Sequence, residues 1–166
     1  MSRKEQGAER FNDLSIEVWS AGEDAVAVLA GHRVAMWTER GLLEETGGPQ
    51  ADRVYRQWLA EKLSSGLLIP FVATVERKVV GSACLWLREI QPGPMESAAA
   101  SPYLTSVYVE PDFRRLGIGA KLVGEALQWC RLRGYRQVTL HTSRQAFSLY
   151  RKLGFKRTNE MRLRLR

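Results

Sequence analysis

The run Val107-Tyr-Val-Glu-Pro-Asp-Phe-Arg-Arg-Leu-Gly-Ile-Gly-Ala-Lys121 constrains the fold more than any other stretch of this chain. Its β-branched and aromatic start predicts a strand, which Pro111 interrupts because proline offers no ladder N–H. Gly117 and Gly119 permit a tight loop. Beyond them Leu122, Val123, Ala126, Leu127 and Cys130 recur at helical spacing, as far as a stop at Gly134. A strand over 137–142 follows directly. Strand, helix and strand in that order form a crossover unit, which requires parallel pairing and a helix on one sheet face. The turn also aims unpaired N–H groups, the positive end of a helix dipole and two arginines at one point. Such a point binds phosphate.

The remaining elements set the surroundings of this unit. Residues 1–13 are polar and charge-balanced and are expected to form a flexible tail, with 14–166 a single domain. Residues 14–20 read as a strand. A helix over 23–38 follows, with Ala25, Val28, Leu29, His32 and Met36 on one face, and Gly41 ends it. A second helix is expected over 52–63, stopped by Gly66. Two apolar runs, 67–76 and 79–88, flank Arg77-Lys78 and predict a β-hairpin. The stretch 89–102, with Pro92, Gly93, Pro94 and Pro102, reads as a loop, and 103–109 as the next strand. After the crossover come a short helix near 145–153 and two final strands, 155–157 and 160–166. In the last, Met161, Leu163 and Leu165 alternate with Arg162, Arg164 and Arg166, which predicts one buried and one wet face. The hairpin demands antiparallel pairing and the crossover parallel pairing. The fold class is therefore α/β (α+β), a mixed, mostly antiparallel central sheet with helices on both faces.

Composition narrows the setting. The chain has 166 residues, 45% hydrophobic and 26% charged, which suits one globular domain. No run approaches the ~18 apolar residues of a membrane span, and no signal-peptide core is visible, so a cytoplasmic location is expected. Cys84 and Cys130 lie in apolar patterns and read as small core residues, with no metal site implied. The net charge of +7 is unevenly spread. Residues 110–166 carry 14 Lys+Arg against 4 Asp+Glu, whereas residues 1–109 carry 11 against 14. The basic part holds the phosphate-type loop; the acidic part would suit a cationic partner.

Two nucleotide loops fail against the turn. A Walker A loop needs a hydroxyl residue after its lysine, and Lys121 is followed by Leu122. A dinucleotide fingerprint needs a third glycine where Leu122 stands, and an acidic residue about 20 positions on, where Gln137 and Val138 lie. The pattern that remains is R-x-x-G-x-[GA], met by Arg114, Gly117 and Gly119. Downstream, Ser143-Arg-Gln-Ala146-Phe-Ser-Leu149-Tyr150-Arg-Lys-Leu-Gly154-Phe155 matches N-x-x-A-x-x-L-Y-x-x-x-G-F at every quoted position but the first. Together the two motifs resemble the acyl-CoA site of the GCN5-related N-acetyltransferase (GNAT) superfamily, in sequence detail over 103–155.

That resemblance implies a sheet splayed between the strands at 103–109 and 137–142, with acetyl-CoA as cosubstrate. It implies that backbone amides of Arg115, Gly117, Gly119 and Ala120 hold the pyrophosphate, with Ile118 in the same turn and Arg114 and Lys121 nearby. Val107, Tyr108 and Val109 would face the pantetheine, bound through main-chain groups in the manner of an added strand. Ser143 stands where asparagine is usual and offers one hydroxyl in place of an amide. Tyr150 matches the tyrosine that protonates the departing thiolate, and Val109 N–H is expected to stabilise the oxyanion. Glu89 is taken as the base candidate, with His141, His32 and Glu39 left as alternatives. Acceptor contacts are expected from the first helices, at His32, Met36, Trp37 and Glu39.

The function implied is transfer of an acetyl group from acetyl-CoA to a primary amine of a small cationic molecule through a ternary complex. Aminoglycosides, polyamines, amino-acid analogues and protein N-termini or lysines all remain open as acceptors, as does a non-catalytic acyl-CoA sensor. No nucleic-acid signature accompanies the arginine row, so neither nucleic acid nor membrane is an expected partner. A homodimer is compatible with the alternating final strand.

Overall fold

The computed structural model describes residues 14–18, 23–42, 48–91 and 100–163. The expected flexible tail lies outside them. Five strands form one sheet in the order β1-β2-β3-β4-β5: β1 (Leu14–Val18), β2 (Leu68–Val75), β3 (Lys78–Glu89), β4 (Ala100–Val109) and β5 (Thr139–Leu140). The first three pairings are antiparallel and β4–β5 is parallel. The hairpin and the crossover thus coexist as their sequence patterns require.

Helices cover both faces. On one, α1 (Glu23–Glu39) and α2 (Gly48–Ser64) bury Ala25, Leu29, Ala30, Leu59 and Leu63 against Leu68 and Cys84. On the other, α3 (Ile118–Leu132) drives Ile118, Leu122, Val123, Ala126 and Cys130 into the larger core, beside Phe71, Val80 and Leu85. A buried aliphatic side chain of this size contributes about 1.5–3 kcal/mol. The α3 stripe alone is therefore enough to hold the crossover on the sheet. A short helix, α4 (Phe147–Lys152), buries Tyr150.

Three boundaries differ from expectation. Helix α2 starts at Gly48 instead of near Asp52, because Pro49 suits a first turn that needs no N–H. Strand β4 begins at Ala100 and includes Pro102. The β4–β5 ladder starts only at Tyr103, so the missing Pro102 N–H has no β5 neighbour to serve. Finally, the strands expected over 155–157 and 160–166 do not form among the described residues. Met161 and Leu163, expected on a buried face, are 96% and 82% exposed. Alternation supplies a two-faced ribbon but not a partner, and the described part of β5 is two residues long. Residues 164–166, with Leu165, lie outside the described residues.

Candidate active site

The site is organised by an irregularity in β4. Ser82 pairs with Tyr108 and Cys84 with Thr105, so Ala83 alone faces both Ser106 and Val107. One extra residue has entered the strand, and Ser106 takes a positive φ of 53°. Gly81 lies opposite Val109, and a Cβ there would meet the Tyr108 carbonyl oxygen at 2.8 Å. Only glycine lets the bulged strand lie so close.

Glu110 N–H donates to Val80 O at 2.9 Å. Antiparallel alternation then turns the backbone groups of Tyr108 toward β3 and those of Val107 and Val109 away from it. The β4–β5 ladder stops at the Leu104–Leu140 pair. Beyond that pair lies a cleft of about 250 Å³, lined by Met36, Glu39, Arg40, Val107, Tyr108, Val109, Arg114, Gly119, Ser143, Gln145, Ala146, Leu149 and Tyr150. The splay expected between residues 103–109 and 137–142 is this cleft.

Above it the turn forms as a concave run of backbone. Arg115 and Gly117 both have positive φ, 63° and 82°. Helix α3 then begins with no side-chain cap and no acidic residue in its first turn. Its first N–H groups are thus open to an anion, which the dipole favours. Ile118 points its side chain into the core, so only its backbone can face the loop. A Cβ on Gly119 would sit 3.7 Å from Leu149 Cδ2 and 3.8 Å from Val109 Cγ2, occupying cleft space.

Arg114 does more than add charge. Its Nε donates to Val109 O at 2.8 Å, and its Nη2 donates to the Glu39 carboxylate at 2.7 and 2.9 Å. The Tyr108 hydroxyl donates to the same carboxylate at 3.1 Å. These bonds tie the end of α1 to β4 across the cleft mouth. The Arg114 hydrogen bond holds the Glu39 carboxyl below the usual carboxylate range. Arg115 and Lys121 remain exposed.

Tyr150 is buried, packs edge-on against Phe155 and lines the cleft. Burial raises its phenol above the ordinary value, which keeps the proton on at neutral pH. Ser143 also lines the cleft, and its Oγ accepts from Ala146 N–H at 3.3 Å. The serine therefore also shapes the turn into α4, and its own O–H can still donate.

Other expected residues lie elsewhere. His32 sits beneath the sheet face, its Nδ1 2.7 Å from Ser82 Oγ, its ring against Tyr108 and its Nε2 3.7 Å from Glu110. Burial lowers its pKa to about 4, so it is a neutral core residue. Trp37 stacks on Arg33. Glu89 pairs with Ala100 at the opposite end of the β3–β4 ladder, nine residues of β4 or roughly 30 Å from Val109. It is not brought to the cleft.

A line of hydrogen bonds joins three other residues. Glu160 takes the His141 Nε2 at 2.7 Å on both oxygens, and His141 Nδ1 is 2.7 Å from the Tyr103 hydroxyl. A carboxylate only accepts, which places the proton on Nε2 and leaves Nδ1 to accept from Tyr103. Tyr103 lies near Tyr150, whose pKa its charge would raise. Tyr103 and Glu160 had no motif to mark them, because residues 103, 141 and 160 meet only in space. Strand parity was the available signal: Cys84, Trp86 and Arg88 share one face of β3, opposite Thr105 and Tyr103.

This chain belongs to the acetyltransferase (GNAT) family, whose profile matches residues 32–155. It is 31% identical over 109 residues to an uncharacterized N-acetyltransferase of Methanocaldococcus jannaschii, covering 62% of this chain and 44% of that protein. It is 34% identical over 88 residues to glucosamine 6-phosphate N-acetyltransferase of Trypanosoma brucei brucei, covering 53% and 57%. The chain thus spans about half the length of these curated relatives. A crystal structure of a GCN5-related N-acetyltransferase from Ralstonia eutropha JMP134 superposes with a TM-score of 0.77 at 23% identity, over 92% of this chain and 98% of that one. That likeness shows the fold. No helix among the described residues is long and apolar enough to cross a membrane.

Proposed function

We propose that the chain transfers an acetyl group from acetyl-CoA to the amine of a small molecule by direct attack in a ternary complex. The observation that carries this reading is the bulge-opened cleft between β4 and β5, with a buried, protonated tyrosine in its wall and an uncapped helix N-terminus at its mouth. The residues fit the donor. The positive-φ turn 114–117 presents amides to a pyrophosphate, with Arg115 and Lys121 as the exposed cations beside it. The Val107 main chain and the Val109 N–H lie along the cleft, where an extended amide-bearing arm can pair with them. The donor supplies an activated thioester.

Each step is then assigned to a residue of this chain. The Val107 N–H, which faces the cleft beside the bulge and lies nearer Tyr103 than Val109 does, donates to the acyl oxygen as charge develops there. Tyr150 gives its proton to the departing sulfur. Tyr103 accepts the amine proton while passing its own to His141 Nδ1, and Glu160 stabilises the imidazolium. His141 and Glu160 are exposed, so the proton leaves to solvent. This relay takes the place of Glu89 as the base. The acidic first half suggested a cationic acceptor, but Glu39, its carboxylate at the cleft, is engaged by Arg114.

Acetyl-CoA binding by calorimetry, followed by thiol release across a panel of amines, tests the proposal. Binding in the micromolar range with amine-dependent release is expected. Binding without release from any amine would favour a sensor of acyl-CoA.

A further inference from the structure

A second depression lies on the other side of the bulge, between α1, α2 and the sheet. Its volume is about 480 Å³, within the range of small-molecule sites. Its walls are aromatic. Tyr55 and Trp58 stack at 5.9 Å, Trp58 meets Trp86 edge-on at 5.2 Å, and Trp86 meets Tyr103 edge-on at 6.5 Å. Ser106, the bulged residue, also lines it, so its inner end abuts the strand segment that borders the cleft. Tyr103, first member of the proton relay, stands in its wall.

Among the described residues that line this pocket, the one charged side chain is an arginine. No carboxylate lines it among the described residues. The Arg33 guanidinium lies in its wall, 3.8 Å from the Tyr55 ring and 3.9 Å from Trp37. Arg88 stacks 3.9 Å from the Tyr103 ring and donates to Thr139 Oγ1 at 3.2 Å, while its Nε is buried with no hydrogen-bond partner. Neither arginine has a carboxylate partner among the described residues. A polyamine or aminoglycoside would place several cations against the Arg33 guanidinium and four rings, with no carboxylate among the described lining residues to meet them. An amine on an aromatic body finds stacking surface, and a carboxylate on the same molecule finds a cation.

We infer that the acceptor is an amine borne by an aromatic or bulky apolar body that also carries a carboxylate, as in an aromatic α-amino acid, held in the Tyr55–Trp58–Trp86–Tyr103 pocket with its carboxylate on Arg33. This rests on the acetyltransferase reading above, and assigns the chemistry of its acceptor half. The amine attacks the thioester carbonyl, its proton leaves through Tyr103, and the products are the N-acetyl amino acid and free thiol.

The test compares L-tryptophan and L-phenylalanine with their methyl esters, glycine, spermidine and kanamycin. Two readouts are used: thiol release with acetyl-CoA, and equilibrium dialysis of labelled L-phenylalanine without it. The aromatic acids are expected to exceed their esters and the polycations by about tenfold or more in kcat/KM. Arg33→Met should bring the acid-to-ester ratio close to one while the ester is still turned over. Trp86→Ala should raise KM for the aromatic acids. Val54→Glu, at a pocket residue 55% exposed, adds an acid without disturbing the core and should lower aromatic-acid turnover. Preference for a polycation, or equal use of acid and ester by the unsubstituted protein, overturns the inference and leaves the donor reading standing. Phenylalanine binding that Trp86→Ala abolishes, in a protein that binds no acetyl-CoA, overturns the donor reading and supports the pocket.

Discussion

The two sides of the β4 bulge are built by different means. The cleft side is built largely from main chain: Val107 and Val109 along one strand and the amides of the 114–120 turn, with Gly119 in the lining. The opposite side is built from side chains, with four aromatic rings and Arg33 supplied by α1, α2, β3 and β4, and Arg88 stacked on Tyr103 outside the lining. Backbone recognition tolerates much change in side chains but depends on conformation. Side-chain recognition changes with a single substitution and leaves the fold intact. An enzyme that keeps one donor while changing acceptors gains from separating the two in this way, with one extra residue in one strand as the divider.

Substitutions should therefore have different signatures on each side. The largest effect is expected for Tyr150→Phe, which should lower turnover by about 100-fold or more while donor affinity changes by less than about threefold. Rapid-mixing thiol release and calorimetry give the two numbers. If both move together, Tyr150 is a packing residue.

Acid should act through the histidine beneath the divider. His32 is neutral in the fold with a pKa of about 4, whereas an unfolded histidine titrates near 6.5. Between those values the unfolded chain binds the extra proton, so stability falls as pH drops from about 6.5 toward 4, by up to about 3 kcal/mol. Urea midpoints over that range should show this slope, and His32→Gln should flatten it.

Gly81→Ala attacks the divider by geometry. Its Cβ would lie 2.8 Å from Tyr108 O, and a destabilisation of about 1–3 kcal/mol is expected in urea unfolding. Donor and acceptor affinity should both suffer, since β4 serves both. His141→Ala should cut turnover by about tenfold and leave phenylalanine binding unchanged, distinguishing proton transfer from acceptor recognition. The smallest effect is expected at Leu163→Ser, within about 0.5 kcal/mol, because that side chain is 82% exposed.

Much of the donor half was legible because its signals are local. A glycine that must take positive φ, as Gly117 does at 82°, marks itself in any sequence. Tyr150 was singled out by a motif match over residues 143–155, and the structure places it in the cleft wall. The bulge left no such mark, since Ser106 adopts φ 53° without being glycine, and only the register against Ala83 reveals it. Glu89 was chosen as an acid at a strand end, but in an antiparallel pair the end of β3 faces the start of β4. The final strands were read from alternation alone, which does not create a partner.

The sequence by itself determined the family, the crossover unit and the phosphate-type turn, because each depends on φ preference, helical period or spacing within about 15 residues, and the resemblance singled out Tyr150. Only the tertiary structure decided that His32 is core, that Arg114 is bound to Glu39, that Tyr103, His141 and Glu160 form a line, and that an aromatic pocket flanked by arginines lies behind the bulge. Those features join residues separated by 19 to 75 positions. Which of them meet depends on strand register and on helix packing, and neither is encoded in any single segment.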